Sequence, residues 1–330
     1  MNILITGASG FIGSFIVEEA LNRGFDVWAA VRGTSSKRYL QDPRIHFIQL
    51  NLSSYDALCQ QLRSHKFEYV VHAAGVTKCL HAKDFEFINT RGTENLVWAL
   101  INTHQPLRKF VYLSSLSVYG AIHEQQPYQP IKESDRPRPN TAYGKSKLKA
   151  EKFLAATHDF PYIILRPTGV YGPREKDYYL MAKSVKQHID FAVGYKRQDI
   201  TFVYVKDVVQ AVFLALDHGK SGRKFFLSDG AVYQSSTFSN LIRHELGNPF
   251  LLRVKVPLWM LRIVTTIGEY MGRVTGKISA LNNDKYNILK QRNWQCDITP
   301  AQQELGYAPQ YNLERGVKET IAWYKQEGWL

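Results

Sequence analysis

An apolar stretch at residues 2–6 runs directly into Gly7-Ala-Ser-Gly10-Phe-Ile-Gly13 and then into a helical pattern over residues 14–23. No other feature constrains the chain as tightly. Glycines at this spacing let the backbone turn sharply, approach a pyrophosphate and pack the following helix against the strand. The helix N-terminus adds free amides and a positive dipole. In this strand, turn and helix order, Gly7, Ser9, Gly10, Phe11, Ile12 and Gly13 are candidate dinucleotide-binding residues; three glycines in an ordinary turn is the bland alternative.

Short runs rich in Val, Ile and Phe alternate with longer amphipathic stretches: residues 3–6, 27–31, 46–50, 69–72, 109–113 and 162–165, with 224–227 as a further strand. Such alternation implies a parallel sheet covered by helices. The expected fold class is α/β, a Rossmann doubly wound sheet of about seven strands. Residues 125–141, dense in Pro, Gln and charge, read as a surface loop leading to a helix that begins near Ala142. After Pro167 helical patterns dominate, including Met260, Ile263, Val264, Ile267, Met271 and Val274 at helical spacing. Residues 1–166 with 200–227 are therefore assigned to the dinucleotide-binding domain. Residues 167–199 and 228–330 form a smaller, mainly helical substrate lobe over the sheet's carboxyl edge.

With 330 residues and 45% hydrophobic content, the chain can bury a large core without disulfides or metal clips. Cys59, Cys79 and Cys296 are widely spaced, lack a Cys-x-x-Cys pair or zinc-ligand spacing, and read as buried thiols in a reducing, cytoplasmic compartment. No metal site is expected. The N-terminus carries no leader pattern, so the mature chain is expected to begin at the first residue. The apolar segment 251–275 is interrupted by Arg253, Lys255, Pro257, Arg262, Glu269 and Arg273, which argues against a membrane span. A net charge of +13 favours anionic ligands, yet no nucleic-acid motif accompanies it, and nucleic acid is not an expected partner.

The second strand ends in Arg32, where a carboxylate would otherwise take the ribose hydroxyls, and Lys37 and Arg38 follow in a Gly/Ser-rich loop. Asp26 lies at the wrong end of that strand. Positive charge where a 2′-phosphate would sit favours NADP over NAD; a solvated basic loop is the alternative. Tyr143 and Lys147 lie four residues apart on one helix face, so a phenol and an ammonium can converge on one cleft. A cation near the phenol favours phenolate, which suits Tyr143 to general acid-base work. Ser115, after the fifth strand, is the candidate for orienting a substrate oxygen, with Ser117 and Thr77 as further candidate substrate contacts.

The chain resembles the extended short-chain dehydrogenase/reductase family, also called NAD-dependent epimerase/dehydratase, over essentially its full length. The resemblance is carried by Thr6-Gly-Ala-Ser-Gly-Phe-Ile-Gly13, Val71-His-Ala-Ala-Gly75, Asn89 with Gly92-Thr-Glu-Asn95, and Ser114-Ser-Leu-Ser-Val-Tyr-Gly120. Tyr143 with Lys147, Leu165-Arg-Pro-Thr-Gly-Val-Tyr-Gly-Pro173, Phe202-Val-Tyr-Val-Lys-Asp-Val208 and Glu304-Leu-Gly-Tyr-Ala-Pro309 extend it. It implies a catalytic triad of Ser115, Tyr143 and Lys147, with Lys147 also holding the nicotinamide ribose. It further implies Asn51 and Leu52 beside the adenine, Ala73, Ala74 and Gly75 along the middle of the cofactor, and Pro167 and Thr168 by the nicotinamide. Asn51 departs from the family's usual Asp.

The shared reaction implied is hydride exchange between nicotinamide C4 and a secondary alcohol or ketone. Nucleotide-sugar enzymes of the family carry an Arg-Asp pair where Ile200 and Thr201 stand, and dehydratases an Asp-Glu pair where Leu116 and Ser117 stand, so dehydration is not expected. The 251–275 segment resembles that of dihydroflavonol reductase-like and 3β-hydroxysteroid dehydrogenase-like members, which implies a hydrophobic substrate. Core, oligomer contact and a peripheral membrane contact are other roles for its apolar stripe. Three functions remain open: an NADP-linked oxidoreductase, a sugar epimerase that recycles bound cofactor, and a non-catalytic dinucleotide sensor. The family often dimerises through helices matching residues 90–102 and 142–155, so a homodimer is expected.

Overall fold

The computed structural model describes residues 1–277, 279 and 281–330. Its strands, in chain order, are β1 (Asn2–Thr6), β2 (Asp26–Val31), β3 (His46–Gln49), β4 (Tyr69–His72), β5 (Lys109–Leu113), β6 (Tyr162–Pro167), β7 (Gly169–Tyr171), β8 (Ile189–Val193), β9 (Asp199–Ile200), β10 (Phe202–Tyr204), β11 (Lys224–Leu227), β12 (Tyr233–Gln234) and β13 (Leu252–Val256). The helices are α1 (Phe11–Asn22), α2 (Tyr55–Leu62), α3 (Ala82–Phe85), α4 (Gly92–Asn102), α5 (Ala142–Ala156), α6 (Asp177–Lys186), α7 (Val205–His218), α8 (Ser235–Glu245), α9 (Leu258–Thr275), α10 (Asn283–Lys290), α11 (Thr299–Leu305) and α12 (Leu313–Gln326).

Seven strands form one parallel sheet in the order β11-β6-β5-β4-β1-β2-β3. Their apolar runs are almost wholly buried because helices cover both faces. On one face α1 and α7 pack against Ile3, Ile5, Val27 and Val111; on the other, α2, α4 and α5 pack against Leu4, Val70, Phe110 and Tyr112. From β1 the chain winds outward to β3, then crosses to β4 and winds the other way. The β1/β4 boundary is thus a topological switch point, and in open α/β sheets the ligand crevice lies there, outside the strands' carboxyl ends.

The lobe has its own aromatic core, in which Tyr171 and Phe238 pack closely with Phe202 and Tyr204, two residues that the sequence pattern assigns to the dinucleotide-binding domain. Beside its helices it holds three two-stranded pairs, β7 with β10, β8 with β13, and β9 with β12. One stretch assigned to the lobe packs elsewhere: Ile298, Ala301, Leu305 and Tyr307 join the core of the main sheet. The 125–141 loop is also less superficial than expected. Ile131 is fully buried, and exchange of backbone hydrogen bonds with Gln295 and Asp297 makes that burial tolerable.

No helix among the described residues is long and apolar enough to cross a membrane. The apolar stripe of α9 is not core: only Leu261, Thr265 and Gly272 of that helix are buried. Of the cysteines only Cys59 is buried; Cys79 and Cys296 are half-buried.

Candidate active site

Gly7 closes β1 at φ +70, a conformation that side chains disfavour. A Cβ there would also lie 2.7 Å from the backbone of Ala73 and Ala74, and a Cβ on Gly13 would lie 2.1 Å from the Gly7 carbonyl oxygen. The loops after β1 and β4 therefore touch at the switch point. Gly10 begins α1 without a side-chain cap, and the first turn carries no acidic residue. The amides of Phe11, Ile12 and Gly13 remain available to an anion, with Ser9 half-buried beside them.

A buried polar relay ties this turn to α5. The Ala74 amide donates to Thr6 Oγ1 (3.3 Å), which bonds His72 Nδ1 (2.6 Å). His72 Nε2 lies 2.9 Å from Thr93 Oγ1, which donates to the Asn89 carbonyl at 2.7 Å. Because the Thr93 proton is committed to Asn89, the imidazole carries its proton on Nε2 and accepts at Nδ1. Burial first, then the nearby Lys147 charge, hold His72 neutral, with its pKa down to about 3. Asn89 clamps the backbone of Val76 and donates to Ser146 Oγ on α5 at 3.0 Å.

α5 begins at Thr141, whose hydroxyl accepts the Gly144 amide at 2.9 Å. Tyr143 and Lys147 are then one turn apart. Lys147 Nζ donates to the Leu113 carbonyl at the end of β5 (2.8 Å) and lies beside Gly75, where a Cβ would approach it to 3.2 Å. Burial lowers its pKa to about 8, against the pull of Glu151. Burial raises the Tyr143 phenol to about 12, while hydrogen bonding with Ser115 acts in the opposite direction. Ser115 Oγ accepts the Ser117 amide at 3.1 Å and donates to Ser117 Oγ at 3.2 Å. The fold thus brings Ser115, Tyr143, Lys147, Gly75 and Ser117 together. Thr77 is exposed, next to Lys78, which pairs with Asp177 of the lobe.

Pro167 ends β6, and the Thr168 amide donates to Leu227 at 3.0 Å. The Thr168 hydroxyl is buried and lacks a hydrogen-bond partner among the described residues. An uncapped helix, a glycine cradle and an orphaned hydroxyl fit a dinucleotide lying across the strand ends. At the other end of the crevice, Arg32 is exposed and its guanidinium has no ion pair among the described residues. Lys37 does not stand free: its ammonium sits 3.9 Å over the Phe47 ring, and Arg38 pairs with Glu327 at 2.8 Å. Asn51 Oδ1 accepts from the Ser53 hydroxyl at 2.6 Å, and the Leu52 carbonyl accepts from Asn95 at 3.0 Å. Asp26, at the far end of β2, bonds Trp28 and His46 instead.

Two features were missed in the sequence. Glu151 lies one turn beyond Lys147 on the buried face of α5 and binds the Ser114 hydroxyl (2.6 Å) and the Arg166 guanidinium (2.5 Å); helical phase could have found it. Asp284 of α10 accepts the amides of Ala142 (3.0 Å) and Tyr143 (3.1 Å). It had no local signal, because the contact spans 141 residues.

The model of the NAD dependent epimerase/dehydratase family matches residues 3–227. The chain is 27% identical to a UDP-glucose 4-epimerase of Vibrio cholerae, over 98% of this chain and 96% of that protein. It is 24% identical to the decarboxylating sterol-4-alpha-carboxylate 3-dehydrogenase of Candida albicans, over 99% of this chain and 98% of that one. The fold matches that of a dTDP-glucose 4,6-dehydratase from Bacillus anthracis in complex with NAD, at a TM-score of 0.79 and 21% identity, over 100% and 98% of the two chains.

Proposed function

Because the chain belongs to the NAD dependent epimerase/dehydratase family, an enzyme family of nicotinamide dinucleotides, we propose that it is an NADP-linked oxidoreductase of secondary alcohols and ketones. The bound nicotinamide supplies hydride exchange at its C4. The reading rests above all on Tyr143, Lys147 and Ser115 converging at the carboxyl end of β5. With its phenol near 12, Tyr143 holds its proton at neutral pH and is set to donate it to a carbonyl oxygen that Ser115 orients. The Lys147 ammonium, fixed on Leu113 beside Gly75, would hold the nicotinamide ribose, while the Ser115 hydrogen bond lowers the cost of the resulting phenolate.

Gly7, Ser9, Gly10, Phe11, Ile12 and Gly13 would hold the pyrophosphate, Asn51 and Leu52 the adenine, and Ala73, Ala74, Gly75, Pro167 and Thr168 the remaining length. The preference for NADP rests on Arg32, exposed beyond a strand that ends without a carboxylate. Lys37, stacked on Phe47, is a weaker support.

A hydrophobic substrate, as in the dihydroflavonol reductase-like and 3β-hydroxysteroid dehydrogenase-like branch, is favoured by Ile200 and Thr201, which offer no guanidinium for a diphosphate. Thr77 and Ser117 are the proposed substrate contacts. The second reading, a sugar epimerase with recycled cofactor, is favoured by the similarity to a UDP-glucose 4-epimerase. Net NADPH consumption with a panel of apolar ketones tests the choice: steady oxidation supports the reductase, whereas nicotinamide that co-purifies and never accumulates in the opposite redox state supports the epimerase.

A homodimer through α4 and α5 is proposed from exposed Trp98 and Ile101 of α4, with Phe87 exposed just before that helix and Trp98 edge-on to Phe153 of α5 at 5.8 Å. Free thiols at Cys59, Cys79 and Cys296 suit a reducing, cytoplasmic compartment. A peripheral membrane contact is the remaining partner proposed.

A further inference from the structure

At about 100° per residue, the exposed apolar side chains of α9 fall on one side of the helix. Trp259, Tyr270, Ile263, Val274, Ile267 and Met260 succeed one another around roughly 100° of arc, and Met271 and Val264 extend it to about 140°. These are well exposed, Trp259 and Tyr270 each at 66% and Val274 at 65%. The buried residues Leu261, Thr265 and Gly272 occupy the opposite face. Arg262 and Arg273 lie along one rim of the apolar arc, and Lys277 follows just beyond the Gly276 that ends the helix. A helix with this division has one face for its own protein and a second for something apolar outside it.

The strand before the helix continues the theme. Phe191 of β8 and Val254 of β13 are direct cross-strand partners, so they share a face, and both are exposed with Leu252. Arg253 points the other way, to Asp190 at 2.8 Å. Phe250, at the approach to this strand, is 74% exposed. Pro257 then leads directly into α9.

We propose that α9 docks this protein on an anionic lipid bilayer, lying in the interfacial plane with its apolar arc among the acyl chains and its basic rim at the headgroups. Charge selects this occupant. Residues 250–277 hold five basic side chains against one acid, Glu269; Arg253 is paired with Asp190 and Arg273 with Glu269, which leaves Lys255, Arg262 and Lys277 without an acidic partner among the described residues. The whole chain carries +13. A second copy seated on α9 would bring two such rims together, whereas anionic headgroups neutralise them. The aromatic groups Trp259 and Tyr270 suit the water-lipid boundary, since each joins an apolar ring to a polar atom. This inference rests on the surface of α9 and is independent of the catalytic reading.

It nonetheless joins the two regions. α9 packs on α10, where the Asn283 amide donates to Glu269 at 3.1 Å and Arg262 lies 5.2 Å from the Tyr286 ring centroid. The next residue, Asp284, holds the Tyr143 amide. A lipid surface at α9 is thus one helix removed from the proposed acid-base residue.

The test is flotation of the full-length protein with phosphatidylcholine vesicles and with vesicles that also contain phosphatidylglycerol, at low and high salt. Flotation with the anionic vesicles alone, weakened by salt, is expected. The double variant Ile263→Asp, Ile267→Asp should lose about tenfold or more in vesicle partition, while Trp98→Ala on α4 should retain it. Trp259 emission should shift to the blue on anionic vesicles, and Trp259→Phe should abolish that shift, which gives a readout that does not depend on the double variant folding. Absence of flotation, equal flotation of the double variant, or conversion of a lipid-free oligomer to a smaller species by the double variant would each overturn the proposal, the last by assigning this face to a second copy.

Discussion

The Asp284 carboxylate and the Tyr143 backbone amide meet at 3.1 Å, although they lie 141 residues apart in the chain. The same carboxylate takes the Ala142 amide at 3.0 Å, so the lobe caps the first turn of the helix that carries the proposed acid-base residue. A carboxylate at a helix N-terminus satisfies orphan amides and opposes the positive end of the dipole. Asp284→Ala should cost about 0.5–2 kcal/mol of stability. If the cap also positions the phenol, Asp284→Asn should reduce kcat while leaving dinucleotide affinity near wild type. Unfolding curves and the split between kcat and Kd check both outcomes; an unchanged kcat would confine Asp284 to stability.

His72 makes stability sensitive to acid. Its pKa is about 3 in the folded protein against 6.5 for an ordinary histidine, so between those values the unfolded chain binds a proton that the folded protein refuses. Stability is therefore expected to fall as pH falls, by up to about 1.4 kcal/mol per unit from about pH 6 to about pH 3. His72→Gln should be less stable at pH 8 and should flatten this acid limb. Urea unfolding across the range is the measurement, and an unchanged slope in the variant would assign the limb to other groups.

Arg32→Asp places a carboxylate where the second strand ends and should reverse cofactor preference. NADPH affinity is expected to drop by about tenfold or more, the scale of one charge-assisted hydrogen bond, while NADH affinity holds or improves. Calorimetric titration of both cofactors into both proteins decides it. Equal loss for the two cofactors would remove Arg32 from 2′-phosphate recognition.

The sheet was legible in the sequence because parallel strands are buried on both faces and appear as short apolar runs between amphipathic stretches. All seven expected strands occur, three with the expected bounds and four with one end shifted by a residue or two. The glycine turn was legible because its three glycines fall within seven residues and their order with strand and helix is local. Contacts assembled by folding were not. Asp284 on Ala142 and Tyr143, and Ile131 beside Gln295, link segments that no sequence window joins. The basic loop after β2 was only half readable, since the sequence gives the charges of Lys37 and Arg38 but not their engagement with Phe47 and Glu327. The α9 stripe was visible as a period, and that period was consistent with core, oligomer contact or membrane contact alike. Solvent exposure separates the first of these from the others.

Replacement of Tyr143 by Phe removes the one hydroxyl assigned to proton transfer and leaves the ring to fill its place beside Phe85. Single-turnover hydride transfer, with dinucleotide affinity measured on the same preparation, tests the proposed chemistry most directly. The expected result is a rate about 100- to 10,000-fold lower with affinity within about twofold of wild type. A variant that transfers hydride at the wild-type rate would contradict the role given to Tyr143.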